Sequence, residues 1–326
     1  MRNLLIGVVL VLGCAATCFA TAPNRLSNVS TFSIVGFDPE TGELGIAVAS
    51  KFLAVGAVVP WASAGVGAVA TQSYANTMYG PEGLALLASG LDPHEVLDQL
   101  TGADEGRERR QAGIVDAVGR SATFTGKECI AWAGGKAGKY YACQGNILVD
   151  ETTVTAMAET FGATVGPLGL RLVKALKAGE EAGGDSRGKQ SASLLVVKEA
   201  GGYLGLNDRY IDLRVDDHNE PVEELSRLLA IQLSYSALFE ASALKEDGDL
   251  KGARGAALKA VKLNPTLPDA LYDLACYYSL SGMKDEALAT LGEALALSPG
   301  FKKMAREDSD LEALRQDKAF KAMVEE

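Results

Sequence analysis

A chain of 326 residues, 48% hydrophobic and 22% charged, is long enough for two domains and too mixed for low-complexity disorder or a polytopic membrane protein. Its net charge of −11 is spread along the chain: residues 222–326 hold 13 Lys and Arg against 18 Asp and Glu, so neither part has the basic footprint of a nucleic-acid binder. His94 and His218 are the only histidines, which excludes His-rich metal sites; with no phosphate loop, zinc spacing or nucleotide fingerprint, neither a cofactor nor a metal is expected.

The N-terminus reads as an address. Arg2, the apolar run Leu4–Leu12 and the exit Cys18-Phe19-Ala20 form a secretory signal peptide over 1–20, with an uncleaved membrane anchor as the alternative. The expectation is an exported protein, periplasmic or secreted. Export leaves Cys129 and Cys143 in an oxidising compartment. A hairpin centred on Lys136 would set them opposite each other, so a disulfide is one expectation and two separate buried thiols the other. Cys276, in a helical pattern, reads as a buried thiol.

From residue 31 the chain alternates strands and helices in blocks. Thr31–Phe37 and Leu44–Ser50 are joined by Asp38-Pro39-Glu40-Thr41-Gly42, which has good turn chemistry. Lys51–Val59 and Gly65–Thr71 are further apolar runs. Two helices follow, one opened by Pro81 and one by Asp92-Pro93-His94-Glu95, a capping box with Pro at the first position. Strands are predicted at Ala112–Ala117, Arg120–Thr125, Cys129–Ala133 and Tyr140–Leu148, helices at 151–163 and 166–182, and strands again at Ser191–Lys198 and Tyr210–Val215. Strands such as Leu44-Gly45-Ile46-Ala47-Val48-Ala49 are apolar on both faces and need cover on both sides. The block order therefore predicts an α+β fold, an α-β-β-α sandwich over 31–215. Thr71-Gln72-Ser73 with Tyr74 and Asn76 is a polar cluster suited to a pocket rim.

Five strings stand out in this body: Thr31-Phe32-Ser33-Ile34-Val35, Asp38-Pro39-Glu40-Thr41-Gly42-Glu43-Leu44-Gly45, Ala47-Val48-Ala49-Ser50-Lys51, Gln144-Gly145-Asn146-Ile147-Leu148 and Gly184-Asp185-Ser186-Arg187-Gly188-Lys189-Gln190-Ser191-Ala192. Together they resemble the bacterial family catalogued as domain of unknown function 1028, which is grouped with the N-terminal nucleophile hydrolases. In that superfamily a Thr, Ser or Cys at the mature N-terminus attacks an amide, and its own α-amine acts as base. The resemblance implies Thr31 as nucleophile, with Ser30 the runner-up, after a second cut at Ser30-Thr31. It implies Asp185 and Ser186 as supports of the terminal amine; Asn146, between Gly145 and a strand, reads by itself either as an oxyanion donor or as a buried Asn fixing a turn. The family-type Lys on a later strand is missing, since no Lys lies between Lys51 and Lys127, so Lys51 stands as a displaced source of positive charge. Each has a plainer reading: polar strand ends, a helix C-cap at Gly183-Gly184, a solvated lysine.

The tail repeats itself at a spacing of 34 residues, at Gly248 and Gly282, Ala253 and Ala287, Ala260 and Ala294, Pro265 and Pro299. This period resembles the tetratricopeptide repeat over roughly 234–301, inside an all-α region at 222–326. Residues 304–323 are expected to close it as one amphipathic helix. Such repeats imply a protein partner in a concave face. Two units are few, so they are expected to dock on the body or on another subunit, which leaves a homo-oligomer open. Two functions compete. One is an exported amide or peptide hydrolase acting on a small substrate. The other is a catalytically inactive binding protein of the same fold, with the repeats holding a partner.

Overall fold

The computed structural model describes residues 31–325. The segment expected as a signal peptide, and Ser30 after it, lie outside them. Among the described residues no helix is long and apolar enough to cross a membrane.

The first strands are β1 (Thr31–Phe37), β2 (Leu44–Ser50), β3 (Pro60–Ser63) and β4 (Gly67–Ser73), followed by helices α1 (Tyr79–Ala88) and α2 (Pro93–Gly102). Then come β5 (Arg110–Asp116), β6 (Ser121–Thr125), β7 (Gly134–Gly138) and β8 (Tyr141–Asn146), helices α3 (Thr152–Ala163) and α4 (Leu168–Glu181), and strands β9 (Ser191–Val197) and β10 (Arg209–Val215). All pairings are antiparallel. One sheet runs β10-β9-β2-β1-β8-β7 and the other β3-β4-β5-β6.

Alternation along each strand sorts the core into layers. Phe32, Ile34, Ala47 and Ala49 face α3 and α4, where Phe161, Leu172 and Leu176 close one core. Val35, Leu44, Ile46 and Val48 turn the other way, onto Val59, Ala68, Ala70 and Val115 of the second sheet. The outer face of that sheet, through Val69, Ala112 and Ile114, is covered by Tyr79 of α1 and Val96 and Leu100 of α2. The body is thus mixed α and β, with two antiparallel sheets face to face and a helix pair outside each. At α2 the capping box is made as its residues predict: the Asp92 carboxylate accepts from the N–H of His94 and Glu95, and Glu95 accepts from the N–H of Asp92.

The apolar run Lys51–Val59 forms a set of bends around a short 3-10 turn at Val55–Ala57. Two local expectations fail. The strand expected at Cys129–Ala133 lies at Gly134–Gly138, because the β7–β8 turn falls at Lys139-Tyr140, with Tyr140 at φ 75°. Lys136, not Cys129, is therefore the register partner of Cys143. Cys129 and Cys143 are separate thiols, and the disulfide expectation is corrected. Cys129 donates to the Arg110 carbonyl at 3.3 Å, while Cys143 is fully buried, where desolvation pushes its thiol pKa up.

The remaining chain is helical: α5 (Pro221–Glu246), α6 (Leu250–Leu263), α7 (Pro268–Leu280), α8 (Lys284–Leu297), α9 (Phe301–Glu307) and α10 (Lys318–Val324). The 34-residue period is met position by position. Gly248 and Gly282 both take the left-handed conformation after the first helix of each pair, at φ 83° and 73°. Ala253, Ala260, Ala287 and Ala294 are fully buried where the helices cross. α5 is shared between regions. Val222, Leu225, Leu229 and Leu233 pack into the body core with α4, β9 and β10, whereas Ala237, Leu238 and Ala241 pack on α6 and α7. The single closing helix is corrected to three pieces. Asp308 caps a 3-10 turn over Ser309–Leu314, and Asp317 caps α10, each accepting backbone N–H groups that a continuous helix would have used.

Candidate functional site

Thr31, Ser50 and Asn146 end three neighbouring strands, and the register places Thr31 directly between the other two. Cross-strand partners share a face, so all three side chains lie on the side that meets the second sheet. All three are buried, and Thr31 Oγ1 donates to Ser50 Oγ at 3.3 Å.

Below them runs a chain of buried amides. Gln72 of β4, Gln111 of β5 and Gln144 of β8 are fully buried and reach across the sheet interface. Gln144 Nε2 donates to Ser33 Oγ at 2.6 Å, and Ser33 Oγ donates to Gln72 Oε1 at 2.6 Å. Gln72 Nε2 in turn donates to the Thr31 carbonyl at 3.1 Å and to Gln111 Oε1 at 2.8 Å. Gln111 Oε1 also accepts from Asn146 Nδ2 at 2.9 Å, while its own Nε2 donates to Thr125 Oγ1 and to the Gly145 carbonyl. The network thus fixes both the Thr31 backbone and the Asn146 amide. Gly113 is required beside it, since a Cβ there would lie 1.9 Å from Gln144 Oε1.

Asp185 and Ser186 sit on the turn after α4. Asp185 Oδ2 accepts the Lys51 N–H at 2.8 Å, and Ser186 donates from both N–H and hydroxyl to the Ile147 carbonyl at 3.0 and 2.8 Å. The turn is therefore pinned to the residues that follow Ser50 and Asn146. The Asp185 carboxylate is also clamped by Arg187, with contacts of 3.2 and 3.0 Å. Lys51 is the one that departs. It is exposed, and its ammonium donates to the Lys189 carbonyl at 3.0 Å, on the flank where Phe32, Glu180, Asp185 and Lys189 line a cleft of about 90 Å³. Within that cleft burial raises the Glu180 pKa, against the opposing pull of Lys189.

The rim cluster has a different role from the one expected. Asn76 and the Tyr79 hydroxyl donate to Asp104 at 3.2 and 3.0 Å, and Arg110 pairs with the same carboxylate at 2.9 Å. Burial works to raise the Asp104 pKa, but Arg110, the Gly106 N–H and these two donors overcome it and hold the group below the usual carboxylate range. This tie anchors the turn after β4 and so the end of the strand that carries Gln72.

Reading by residue type singles out Thr31, Asn146, Asp185 and Ser186, sets Gln72 on a pocket rim and Gln144 in a motif, and misses Gln111 and the support the three glutamines give together. The available signal was three long amides at inward positions of otherwise apolar strands, a residue type seldom fully buried.

The geometry can be set beside known proteins. No curated protein matches the chain. A tetratricopeptide repeat matches residues 256–289. The chain is similar to the crystal structure of a family member from Silicibacter pomeroyi, at 34% identity and a TM-score of 0.56, over 61% of this chain and 88% of that one. The family of unknown function DUF1028 matches residues 31–225, starting at the threonine that heads β1. The chain belongs to that family.

Proposed function

We propose that the body is an N-terminal nucleophile hydrolase-like sandwich that cleaves a small amide or peptide bond with Thr31, once the Ser30-Thr31 bond has been cut. The observation that carries this reading is the position of Thr31 at a strand end between Ser50 and Asn146, beside the pinned Asp185-Ser186 turn. A hydroxyl is a weak nucleophile without a base in reach, and the chain has almost no histidine to supply one. An α-amine, with an ordinary pKa near 8, sits next to the hydroxyl it must activate. Thr31 Oγ1 adds to the amide carbonyl as the α-amine takes its proton. The amine then passes that proton to the leaving nitrogen, and water releases the acyl group. Asn146, oriented by Gln111, holds the oxyanion. Asp185 and Ser186 orient the amine. Lys51 contributes only a positive charge at the strand end, since its ammonium is engaged on the far flank. Export, read from residues 1–20, belongs to this proposal.

A second reading has its own support: the Asp185 carboxylate is clamped by Arg187 and the Asn146 amide is committed to Gln111, as in a fold kept for binding. N-terminal sequencing of the protein from its native envelope, with an amide-substrate panel, separates the two. A mature chain beginning at Thr31, activity lost in Thr31→Ala and partly kept in Thr31→Ser, supports the hydrolase. An active enzyme that begins at Thr21 or Ala22, or a fully active Thr31→Ala variant, overturns it.

A further inference from the structure

In the helical region, the second half of α5, α7 and α9 line a groove of about 440 Å³. Its walls are apolar and open: Phe239 is 72% exposed, and Tyr235 and Met304 are exposed beside it. Its floor is acidic. Asp269 and Asp273 project from one face of α7, a turn apart.

The acids here are unequal. The Tyr235 hydroxyl is bonded to Asp269, the Tyr272 hydroxyl donates to Asp308 at 2.9 Å, and Lys245 pairs with Asp310. Asp273 is half-buried, and among the described residues no side chain hydrogen-bonds or ion-pairs with its carboxylate. Asp269 on its own helix, Asp308 and Asp310 on the following 3-10 segment, and Lys245 of α5 are the charges that face it. Burial first, then the three acids, push its pKa up to about 6. At neutral pH the groove therefore holds a desolvated negative charge whose nearby cation, Lys245, is engaged by Asp310. A metal ion suits it poorly. Cys276, Asp308 and Asp310 come within 4.8 Å of one another, but Tyr272 and Lys245 already occupy those carboxylates.

We propose that this groove receives an extended segment of a partner protein through a lysine or arginine side chain, which pairs with Asp273 and Asp269 while a neighbouring apolar residue lies on Phe239 and Met304. The acid floor selects the charge, and the exposed aromatic and thioether walls favour a peptide over a small cation. The inference does not depend on the chemistry at Thr31.

The test is an array of immobilised octapeptides with one fixed basic, acidic or alanine position, probed with the purified whole protein near physiological salt. Peptides with fixed Lys or Arg are expected to bind at least tenfold better than their alanine twins, with the preference fading from pH 7 to pH 5. Asp269→Asn with Asp273→Asn should abolish the preference, and Phe239→Ala should weaken every peptide. The paired amide substitution changes a net charge of −11 by only two, so general attraction of basic peptides would survive it. A preference that does survive, the absence of any preference, or competition by spermine as effective as by peptide overturns the proposal.

Discussion

The space between the two sheets and the groove in the helical repeats both bury polar groups, and they treat them in opposite ways. Between the sheets, Ser33, Gln72 and Gln111 each give and receive hydrogen bonds in one directed chain that Asn146 joins as a donor; among the described residues Gln144 Oε1 and Ser193 Oγ are the unpartnered exceptions there. In the groove, among the described residues no side chain bonds to Asp273, and three like charges against one Lys245 crowd it. Paired amides fix a geometry at little net cost, because each lost water contact is replaced. An uncompensated charge costs stability, and groups of that kind concentrate where a ligand is received. One site is built to stay as it is, and the other is incomplete.

The strongest way to break the first half of this contrast is Gln111→Leu. The variant removes the acceptor of Gln72 and Asn146 and the donor to Thr125 and Gly145 at once. Orphaned buried groups cost roughly 1–3 kcal/mol each, so a loss of about 3 kcal/mol or more is expected in urea unfolding. Gln72→Leu should cost less, and the double variant less than the sum of the two, as for residues of one network. Additive losses would show that the amides act separately.

The join between the regions comes next. Leu229 lies on the part of α5 that enters the body core, so Leu229→Ala should destabilise by about 2–4 kcal/mol through the cavity it leaves. Since α5 continues unbroken into the repeats, calorimetry should show one transition in the whole chain and in this variant. Two separate transitions would mean that the shared helix does not couple the body to the repeats. Excising 222–326 should expose Leu225, Leu229 and Leu233 on one fragment and the facing surface of α4 and β10 on the other, and both should associate.

What could be read in advance was local. The Asp38–Gly42 turn, the Asp92 capping box and the 34-residue period rest on neighbours in sequence, and each holds in the structure. What failed depended on distant pairing or on competition. A hairpin centred on Lys136 looked symmetrical, but the turn formed at Lys139-Tyr140 and moved Cys129 off the strand. Residues 304–323 carry a continuous amphipathic pattern, yet Asp308 and Asp317 draw the backbone N–H groups to themselves and cut the helix. Of the candidate site, the motif residues were visible one by one. Gln111 was not, since its importance arises only when β5 is laid over β8, and nothing local marks that crossing.

The smallest expected effect, and the sharpest test of the second half of the contrast, is the stability of Asp273→Asn as a function of pH. The native pKa of about 6 lies above the ordinary aspartate value near 3.9 that applies to the unfolded chain. Below about pH 4 both states hold the proton, and Asp273 has no effect on the equilibrium. Between about pH 4 and 6 the native state holds a proton that the unfolded state has lost, so stability falls as pH rises. Above pH 6 the loss is complete, with an upper bound of about 3 kcal/mol from the shift at roughly 1.4 kcal/mol per unit. Asparagine keeps the shape and removes the charge. The variant should therefore be more stable than the parent by about 1–3 kcal/mol at pH 8 and equal to it near pH 4. A gain in stability alongside a loss of basic-peptide binding is the pattern of a residue kept for a partner at the expense of the fold. A variant less stable than the parent at pH 8 would mean that Asp273 is already neutralised within the protein, and the groove would then lack its reason to take a cation.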